Sequence, residues 1–352
     1  MKKLAETLIA IKPLDEAAMS GAQKRLDSLT KPVGSLGVLE DMVKKIAGIT
    51  GEIKPPIPKK TSILMAGDHG VVAEGVSAYP SEVTPQMVLN FLHGGAAMNV
   101  LARHAGAELI VVDVGVAAEL PEHPMLKLKK ISFGTANMAE GPAMTREQTV
   151  AAIETGIAIA EECIATGTGI FGTGEMGIGN TTPSTAIIAC FHGGDVAGVC
   201  GRGTGVDDQR LALKISVIEK ALQVNQPDPA DALDVLAKVG GLEIAGLVGV
   251  ILAAAANRIP VIVDGFISGA AAVVAGRMSP LAADYMIASH LSEEPGHRAM
   301  LNLLGLKPFL QMNMRLGEGT GAALAMTMVD AALKITHEMA SFADAGVSES
   351  TE

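Results

Sequence analysis

Two glutamates stand apart from all other charged residues, and each has glycines beside it. Glu318 is the only charged residue in 316–329, and Glu175 is the only one in 164–194. A carboxylate in apolar surroundings loses hydration, so its pKa rises and it becomes a usable base. A structural role is the alternative, because an acid in a loop or at a helix start often only accepts hydrogen bonds from nearby N–H groups.

The segment 172–183 contains a formal GxGxxG after a predicted strand. That spacing could mark a dinucleotide fold. However, the following helix is predicted to begin later, near Thr182-Pro183, and no acidic residue follows a second strand. The segment is therefore interpreted as an anion-binding loop at a helix N-terminus, with backbone N–H groups such as that of Gly174 facing the ligand.

A second glycine-rich loop, 201–208, also leads into a predicted helix, and Gly203 lies within the loop. Lys214 lies about two turns into that helix. Glycine N–H groups with a lysine would suit a phosphate monoester, whereas a flexible loop with a solvated lysine is the alternative. Asp207-Asp208 has no partner cluster for a metal and is interpreted as a helix cap.

Two segments carry histidines that chemistry could use. His69 follows a predicted strand directly after Asp68, which could orient its ring. The segment 289–297 is interpreted as a turn into a helix, in which Ser292 either faces the ligand crevice or serves as a plain cap.

The sequence predicts no metal site and no cofactor. It contains no HExxH, no Walker A loop, no GxSxG and no Cys/His ligand set. The three cysteines, Cys163, Cys190 and Cys200, are odd in number and lack metal-ligand spacing. They are interpreted as reduced thiols of a cytoplasmic protein.

Composition excludes several classes of partner. The 352-residue chain has a formal net charge of −11, no Trp, two Tyr and seven Phe. The negative charge opposes binding to nucleic acid or anionic membranes, and few aromatic side chains are present to stack on bases. The N-terminal apolar run is too short for a signal peptide, and the Gly/Ala-rich stretches in 244–276 are interpreted as buried elements rather than membrane spans.

Short β-branched runs predict four buried strands, at 62–65, 109–114, 169–171 and 261–263. Each is followed by Gly, Asp or both, and helical patterns alternate with them. This arrangement is typical of an α/β fold with a parallel sheet, whose ligand crevice lies at the carboxyl ends of the strands.

The sequence pattern also divides the chain into three parts. Residues 1–58 are predicted to form a mainly helical small domain, and 59–340 a large α/β catalytic domain whose C-terminal helices could join the small one. Residues 341–352 are predicted to be a flexible tail.

Taken together, these segments resemble one family, the nicotinate-nucleotide–dimethylbenzimidazole phosphoribosyltransferases of the lower-ligand branch of cobalamin synthesis. The resemblance runs from about residue 20 to 335, and the combination of motifs is highly specific although each motif alone is not. The matching stretches are 29–37, 68–71, 172–183, 225–229, 238–241, 264–266 and 315–321.

The resemblance implies a Rossmann-like large domain, a small helical domain built from terminal segments, and a homodimer. It also implies that phosphoribose moves from nicotinate mononucleotide to a benzimidazole nitrogen without a cofactor. Glu318 matches the general base of the family, and Glu175 matches a second acidic residue at the active site. The residues that match positions holding the nucleotide's phosphate, ribose or pyridine ring are Gly177, Asn180, Lys214, Gly265 and Ser292.

The acceptor base is placed between the Tyr79-Pro80-Ser81 turn, the helix face bearing Gln86 and Met87, and Leu316. A flat azole suits a largely apolar slot, and methionine is a flexible filler for one. The alternative is that Met87 belongs to the core. Benzimidazoles, a hydroxybenzimidazole, adenine and phenolic bases all remain open as acceptors.

Two other functions compete with this one. The GxGxxG alone would fit an oxidoreductase that uses a nucleotide cofactor. A non-catalytic protein that binds nucleotides for regulation is the third hypothesis. Two isolated carboxylates argue against it, because a pure anion binder would avoid negative charge in its site.

Overall fold

The computed structural model describes residues 2–203 and 205–348, which form one parallel six-stranded sheet packed between helices. The order of the strands across the sheet is β3-β2-β1-β4-β5-β6. The strands are β1 Lys59–Gly67, β2 Ala107–Gly115, β3 Leu126–Leu128, β4 Thr168–Met176, β5 Val261–Val263 and β6 Met286–Ala288. The predicted α/β class and parallel sheet are confirmed, and so are the four predicted strands.

The helices cover both faces of this sheet. They are α1 Lys2–Ala10, α2 Glu16–Asp27, α3 Val38–Thr50, α4 Val83–Leu92, α5 Ala97–Ala105, α6 Arg146–Ala165, α7 Thr181–Phe191, α8 Val196–Val199, α9 Asp208–Asn225, α10 Ala232–Val239, α11 Leu242–Ala256, α12 Phe266–Met278, α13 Gly296–Leu304, α14 Thr320–Glu338 and α15 Phe342–Ala345.

The alternation of side chains along β1 explains the two helical layers. Ile63 and Met65 point to one face and join the apolar cluster that includes α6, α11 and α12. Leu64 and Ala66 point to the other face and join the cluster that includes α4 and α5. Because successive side chains of a strand alternate, a run of apolar residues in a central strand needs a helix layer on each side.

Helix α11 is buried on all sides, and after Glu243 in its first turn it is apolar throughout. It crosses α6 so closely that a Cβ on Gly156 would lie 1.9 Å from the carbonyl oxygen of Gly246. A Cβ on Gly249 would lie 2.0 Å from the carbonyl oxygen of Ile153. The Gly/Ala-rich stretch therefore serves helix packing, and none of the helices in the described part of the chain has the length and apolarity to cross a bilayer.

Helix α2 and the residues just after it contact the C-terminal end of α14 and the residues that follow it. Arg25 on α2 donates hydrogen bonds to the carbonyl oxygens of Thr336 and Met339 near the end of α14. Leu29 and Ser341 form an antiparallel bridge just before α15. Of the predicted tail, residues 349–352 lie outside the described residues, and the division into domains stays a prediction.

One predicted loop is part of a strand. Gly172 and Gly174 were expected in a loop after a strand ending at 171, but β4 continues through them to Met176. A Cβ on Gly172 would lie 2.8 Å from the Met326 side chain, and one on Gly174 would lie 2.6 Å from the carbonyl oxygen of Glu318. These glycines allow α14 and the turn before it to lie against the strand, so they are not the phosphate-facing glycines of a dinucleotide fingerprint.

Candidate active site

A cavity of about 680 Å³ lies at the carboxyl ends of β4, β5 and β6. Sequence reasoning had named many of its lining residues: Tyr79, Met87, Glu175, Gly177, Asn180, Gly203, Gly265, Ser292, Leu316 and Glu318. The named residues that do not line it are Pro80, Ser81, Gln86, Gly174 and Lys214. The topology predicts this position, because parallel strands end together and the loops that follow them converge.

Glu318 is held in a strained turn immediately before α14. Its φ of 63° is in the left-handed region that few residues other than glycine adopt, and the adjacent Gly317 and Gly319 are left-handed as well. The carboxylate lines the cavity, is 7% exposed, and has an oxygen, Oε2, that finds no hydrogen-bond partner among the described residues. Backbone strain of this kind is characteristic of functional positions.

The helix start that Glu318 precedes is capped by a different acid. Asp264, directly after β5, accepts the N–H groups of Gly319, Gly321 and Ala322 at 3.1, 2.7 and 3.0 Å. Burial, and then the charge of Asp264, raise the pKa of Glu318 to about 7. Glu318 is therefore a carboxyl group that is ready to exchange a proton near neutral pH.

Glu175 lies at the end of β4 and holds the Glu318 turn in place. Its Oε1 accepts the backbone N–H of Glu318 at 3.1 Å, and its Oε2 accepts the side-chain amide of Asn180. A Cβ on Gly317 would lie only 2.4 Å from Glu175 Oε1, so the turn has to carry glycine there. Burial raises the pKa of Glu175 to about 8, and neighbouring carboxylates including Asp264 add to the increase.

One end of the cavity is suited to a phosphate. Arg202, Gly203, Ser292 and Arg315 line it. Lys214 on α9 lies just behind this wall, where its Nζ donates to Thr181 Oγ1 at 2.8 Å and to the carbonyl oxygen of Gly201 at 3.2 Å. Burial lowers the pKa of Lys214, whose side chain is 1% exposed.

The interpretation of Asp207 as a helix cap is confirmed, because its side chain accepts the N–H of Arg210 at the start of α9. The predicted start of the helix near Thr182 is also confirmed, since α7 begins at Thr181 and the turn 177–180 leads into it. Thr181 also lines the cavity, so the first turn of α7 faces the space available to a ligand.

The other end of the cavity is largely apolar. Val76, Val83, Met87 and Ile178 line it from the α4 side. Tyr79 is 51% exposed and Leu316 is 56% exposed, so two large apolar side chains face solvent at this end. Exposed apolar surface of this kind suits a flat aromatic ligand. Met87, on α4, is only partly buried against the core behind it.

The expected pairing of Asp68 with His69 is wrong. His69 Nε2 instead lies 2.8 Å from Glu243 Oε1 at the start of α11, while Asp68 Oδ2 accepts the N–H of Ala117. His69 does not line the cavity, although a Cβ on Gly177 would lie 3.1 Å from its ring. The pair therefore lies behind the Gly177 turn, as part of its support.

Sequence reasoning missed several polar residues that line the cavity, among them His290 and Glu294. His290 follows β6, a strand of three residues that gives almost no periodic signal. Its Nδ1 lies 3.1 Å from Ser289 Oγ and 3.9 Å from Asp264 Oδ1. The segment 289–294 follows the end of a strand, and this position could have indicated all of its polar residues as site candidates. Only Ser292 was chosen from it.

Within the described ranges, no three His, Cys, Asp or Glu side chains are grouped so as to hold a metal ion. Burial raises the pKa of the Cys163 thiol to about 11 and that of Cys190 to about 12. Both thiols are therefore poor nucleophiles at neutral pH.

Comparison with known proteins identifies the family of this chain. The model of the phosphoribosyltransferase family matches residues 11–347. The nicotinate-nucleotide–dimethylbenzimidazole phosphoribosyltransferase of Chloroflexus aggregans is 58% identical over 352 residues, which is 100% of each chain. The protein of the same name from Desulforamulus reducens is 57% identical and covers 99% of this chain and 100% of its own.

A solved structure shows the same fold. CobT from Thermus thermophilus superposes with a TM-score of 0.92 at 46% identity, covering 95% of this chain and 100% of that one. Together with the family match over nearly the full length, it shows that this chain belongs to the phosphoribosyltransferase family that contains the nicotinate-nucleotide–dimethylbenzimidazole phosphoribosyltransferases.

Proposed function

We propose that this enzyme transfers the phosphoribosyl group of nicotinate mononucleotide to 5,6-dimethylbenzimidazole or a related base. The products are α-ribazole 5′-phosphate and nicotinate, for assembly of the cobalamin nucleotide loop. The observation that carries the proposal is the buried Glu318 carboxylate, which lines the cavity with an unpartnered oxygen and a pKa of about 7. The names of the relatives support the choice of substrates.

The reaction needs one proton acceptor and no acid. As the bond between the ribose anomeric carbon and the pyridinium nitrogen breaks, the nitrogen keeps the electron pair and becomes neutral. A lone pair of the azole forms the new carbon–nitrogen bond, and the azole N–H on the other ring nitrogen gives its proton to Glu318. A positioned carboxylate with a pKa near the working pH is efficient in this role.

Glu175 is assigned a second role at the same centre. It holds the backbone N–H of Glu318 and the amide of Asn180, so it fixes the turn that presents the base. Because the pKa of Glu175 is raised to about 8, its role near neutral pH is to position the turn.

We assign the two ends of the cavity to the two substrates. The phosphate is placed against the Gly203 backbone and Ser292, with the Lys214 ammonium just behind them, where N–H, O–H and cationic donors are grouped. The azole is placed at the apolar end, between Met87 and Leu316. This orientation puts the anomeric carbon between them, beside Glu318.

The structure removes the support for an oxidoreductase, because the first two glycines of the GxGxxG lie inside β4 and not in a phosphate-binding loop.

One experiment tests the proposal. The enzyme is incubated with nicotinate mononucleotide and a panel of bases, and the products are identified by mass. We expect nicotinate release together with a base-ribose phosphate, and no change in NADH absorbance in a parallel assay. Failure to release nicotinate with any base would reject the proposal.

The homodimer implied by the family resemblance and the cytoplasmic location expected from the cysteines belong to the same proposal. Sedimentation of the purified protein tests the first, and fractionation of cells tests the second. The preferred base is also decided by the panel experiment, because the apolar end of the cavity accommodates several flat aromatic rings.

A further inference from the structure

Glu294 is a carboxylate located in the part of the cavity assigned to a phosphate. It lies in the segment between β6 and α13, lines the cavity, and is 7% exposed. Its Oε2 is buried without a hydrogen-bond partner among the described residues, and its backbone N–H donates to Ser292 Oγ at 3.3 Å. The catalytic chemistry described above makes no use of it.

The groups around Glu294 are those expected to bind the phosphate. The Gly203 backbone N–H, Lys214 and Arg315 all lie close enough to its carboxylate to favour the ionised form. A Cβ on Gly201 would lie 1.9 Å from Glu294 Oε2, so the carboxylate rests directly against the glycine-rich loop. Glu294 therefore lies among the donors that the phosphate needs.

A phosphate monoester carries a charge of about −1.5 to −2 at pH 7. Two anions that share one small set of buried donors repel each other, and neutralising one of them removes the repulsion. Burial raises the pKa of Glu294, so protonating it costs less than protonating an exposed carboxylate. Once protonated, the carboxyl group becomes a donor, and its O–H can bind a phosphate oxygen.

Other titratable and charged groups face the same position. Lys214 comes from α9, Arg315 from the loop before α14, and Cys200 from the end of α8. Arg202 lines the cavity from the same glycine-rich loop. Of these, Lys214 can also change its charge in the alkaline range, because burial lowers its pKa.

We propose that Glu294 is a proton-coupled phosphate ligand: it lies beside the Gly203 backbone N–H, takes up a proton from solvent as substrate binds, and donates that proton in a hydrogen bond to the phosphate. This inference rests on the proposed function, since it takes nicotinate mononucleotide as the ligand. It also makes Glu294 a specificity determinant, because the protonated carboxyl group binds more tightly to a ligand that has an anionic group at this end of the cavity.

Calorimetry of the full-length enzyme with nicotinate mononucleotide measures the protons taken up on binding. The titrations are run at pH 8 to 9 and repeated in buffers of different ionisation enthalpy. We expect the wild type to take up about one proton, so that its Kd rises about tenfold per pH unit. Glu294→Gln should bind with little uptake and a nearly flat Kd. The matched control is Glu293→Gln, which changes an exposed neighbouring glutamate and should behave as the wild type does.

An equal slope of Kd against pH in Glu294→Gln and the wild type would overturn the inference and assign the proton to Lys214 or another group. Nicotinate riboside, which lacks the phosphate, gives an independent test on the wild type alone. It should bind without proton uptake, and equal uptake for riboside and mononucleotide would also overturn the inference. Wild-type enzyme that neither binds nicotinate mononucleotide nor releases nicotinate would instead reject the proposed function.

Discussion

The carboxylate of Asp264, and not that of Glu318, satisfies the first N–H groups of α14. Asp264 accepts three of them, from Gly319, Gly321 and Ala322. Glu318 keeps an unpartnered oxygen and turns toward the cavity. The purely structural interpretation of Glu318 as a helix-start acid is therefore wrong, and the cap that it would have provided comes from the end of a neighbouring strand.

Glu318→Gln should keep the fold and lose most of the turnover. The amide has nearly the same shape but cannot accept the azole proton, and loss of a general base costs roughly 10²–10⁴ in rate. Initial rates of nicotinate release measure the loss, while circular dichroism and the Kd of nicotinate mononucleotide show whether the site is intact. Near-normal turnover in a folded variant would contradict the role, and Glu293→Gln serves as the control for removing a carboxylate nearby.

Asp264→Asn should move the pH profile of the reaction toward acid. In the wild type, kcat/KM for the base should rise with pH up to about 7, the pKa of Glu318, and then level off. The negative charge of Asp264 contributes to that raised pKa, so removing it should lower the pKa of Glu318 and shift the midpoint down. Rates between pH 5.5 and 9 measure the midpoint, and a shift toward alkali would exclude the proposed coupling.

Glu175→Gln should stabilise the protein at alkaline pH while it impairs catalysis. The pKa of Glu175 is raised from 4.5 to about 8, so the folded state holds a proton that the unfolded chain releases. The free energy of unfolding contributed by this group therefore falls as pH rises from about 4.5 to about 8. We expect the variant to have a higher Tm than the wild type at pH 8.5, with the difference vanishing near pH 4.5. A Tm difference that is the same at both pH values would show that the effect is not titration.

The sheet was predictable from the sequence where strands are long and apolar. β1, β2 and β4 each have nine residues, and their buried runs stand out. β3 and β6 have only three residues each, which is too short for an alternating pattern to be recognised. β5 is equally short, but its three residues are all β-branched and Asp264-Gly265 follows them, so it was found. Glycines at 172 and 174 suggested a loop. They are required instead because α14 and the Glu318 turn, which are distant in the sequence, lie close against the strand there.

The chemistry of the site was predictable only in part. Isolation in sequence identified Glu318 and Glu175, since both are the only charges in long apolar stretches. The partners that control them could not be inferred from one sequence. Asp264 lies 54 residues before Glu318 and reaches it only because β5 ends beside the start of α14. Lys214 was expected in the wall of the cavity, whereas it lies behind Thr181.

Lys214→Met should weaken nicotinate mononucleotide binding more than base binding. Methionine keeps most of the volume of the side chain and removes the ammonium, whereas Lys214→Ala would also leave a buried gap. Loss of a hydrogen bond to a charged group costs about 1.5–3 kcal/mol, so the KM for nicotinate mononucleotide should rise roughly 10- to 100-fold. Steady-state kinetics with each substrate varied in turn give the two KM values. Equal increases in both, or none, would remove Lys214 from the phosphate site.

Met87→Ala should change which base the enzyme prefers. Met87 on α4 lines the apolar end of the cavity, opposite a long exposed side chain, Leu316. Shortening it widens the slot where the six-membered ring of a benzimidazole is placed. One methylene contact is worth about 1–3 kcal/mol, so the preference between methylated and unmethylated benzimidazoles should shift tens-fold.

The neighbouring Gln86 provides the matched control for this change. It is one residue away on the same helix, is exposed, and does not line the cavity, so Gln86→Ala should leave base preference as it is. Because Met87 also packs in part against the core, Met87→Leu is included to keep most of the volume while altering the shape. Competition between two bases in one reaction, read by mass, gives the ratio of kcat/KM directly. An unchanged ratio in a stable Met87→Ala protein, with unchanged affinity for nicotinate mononucleotide, would show that this side chain serves only the core and that the base binds elsewhere in the cavity.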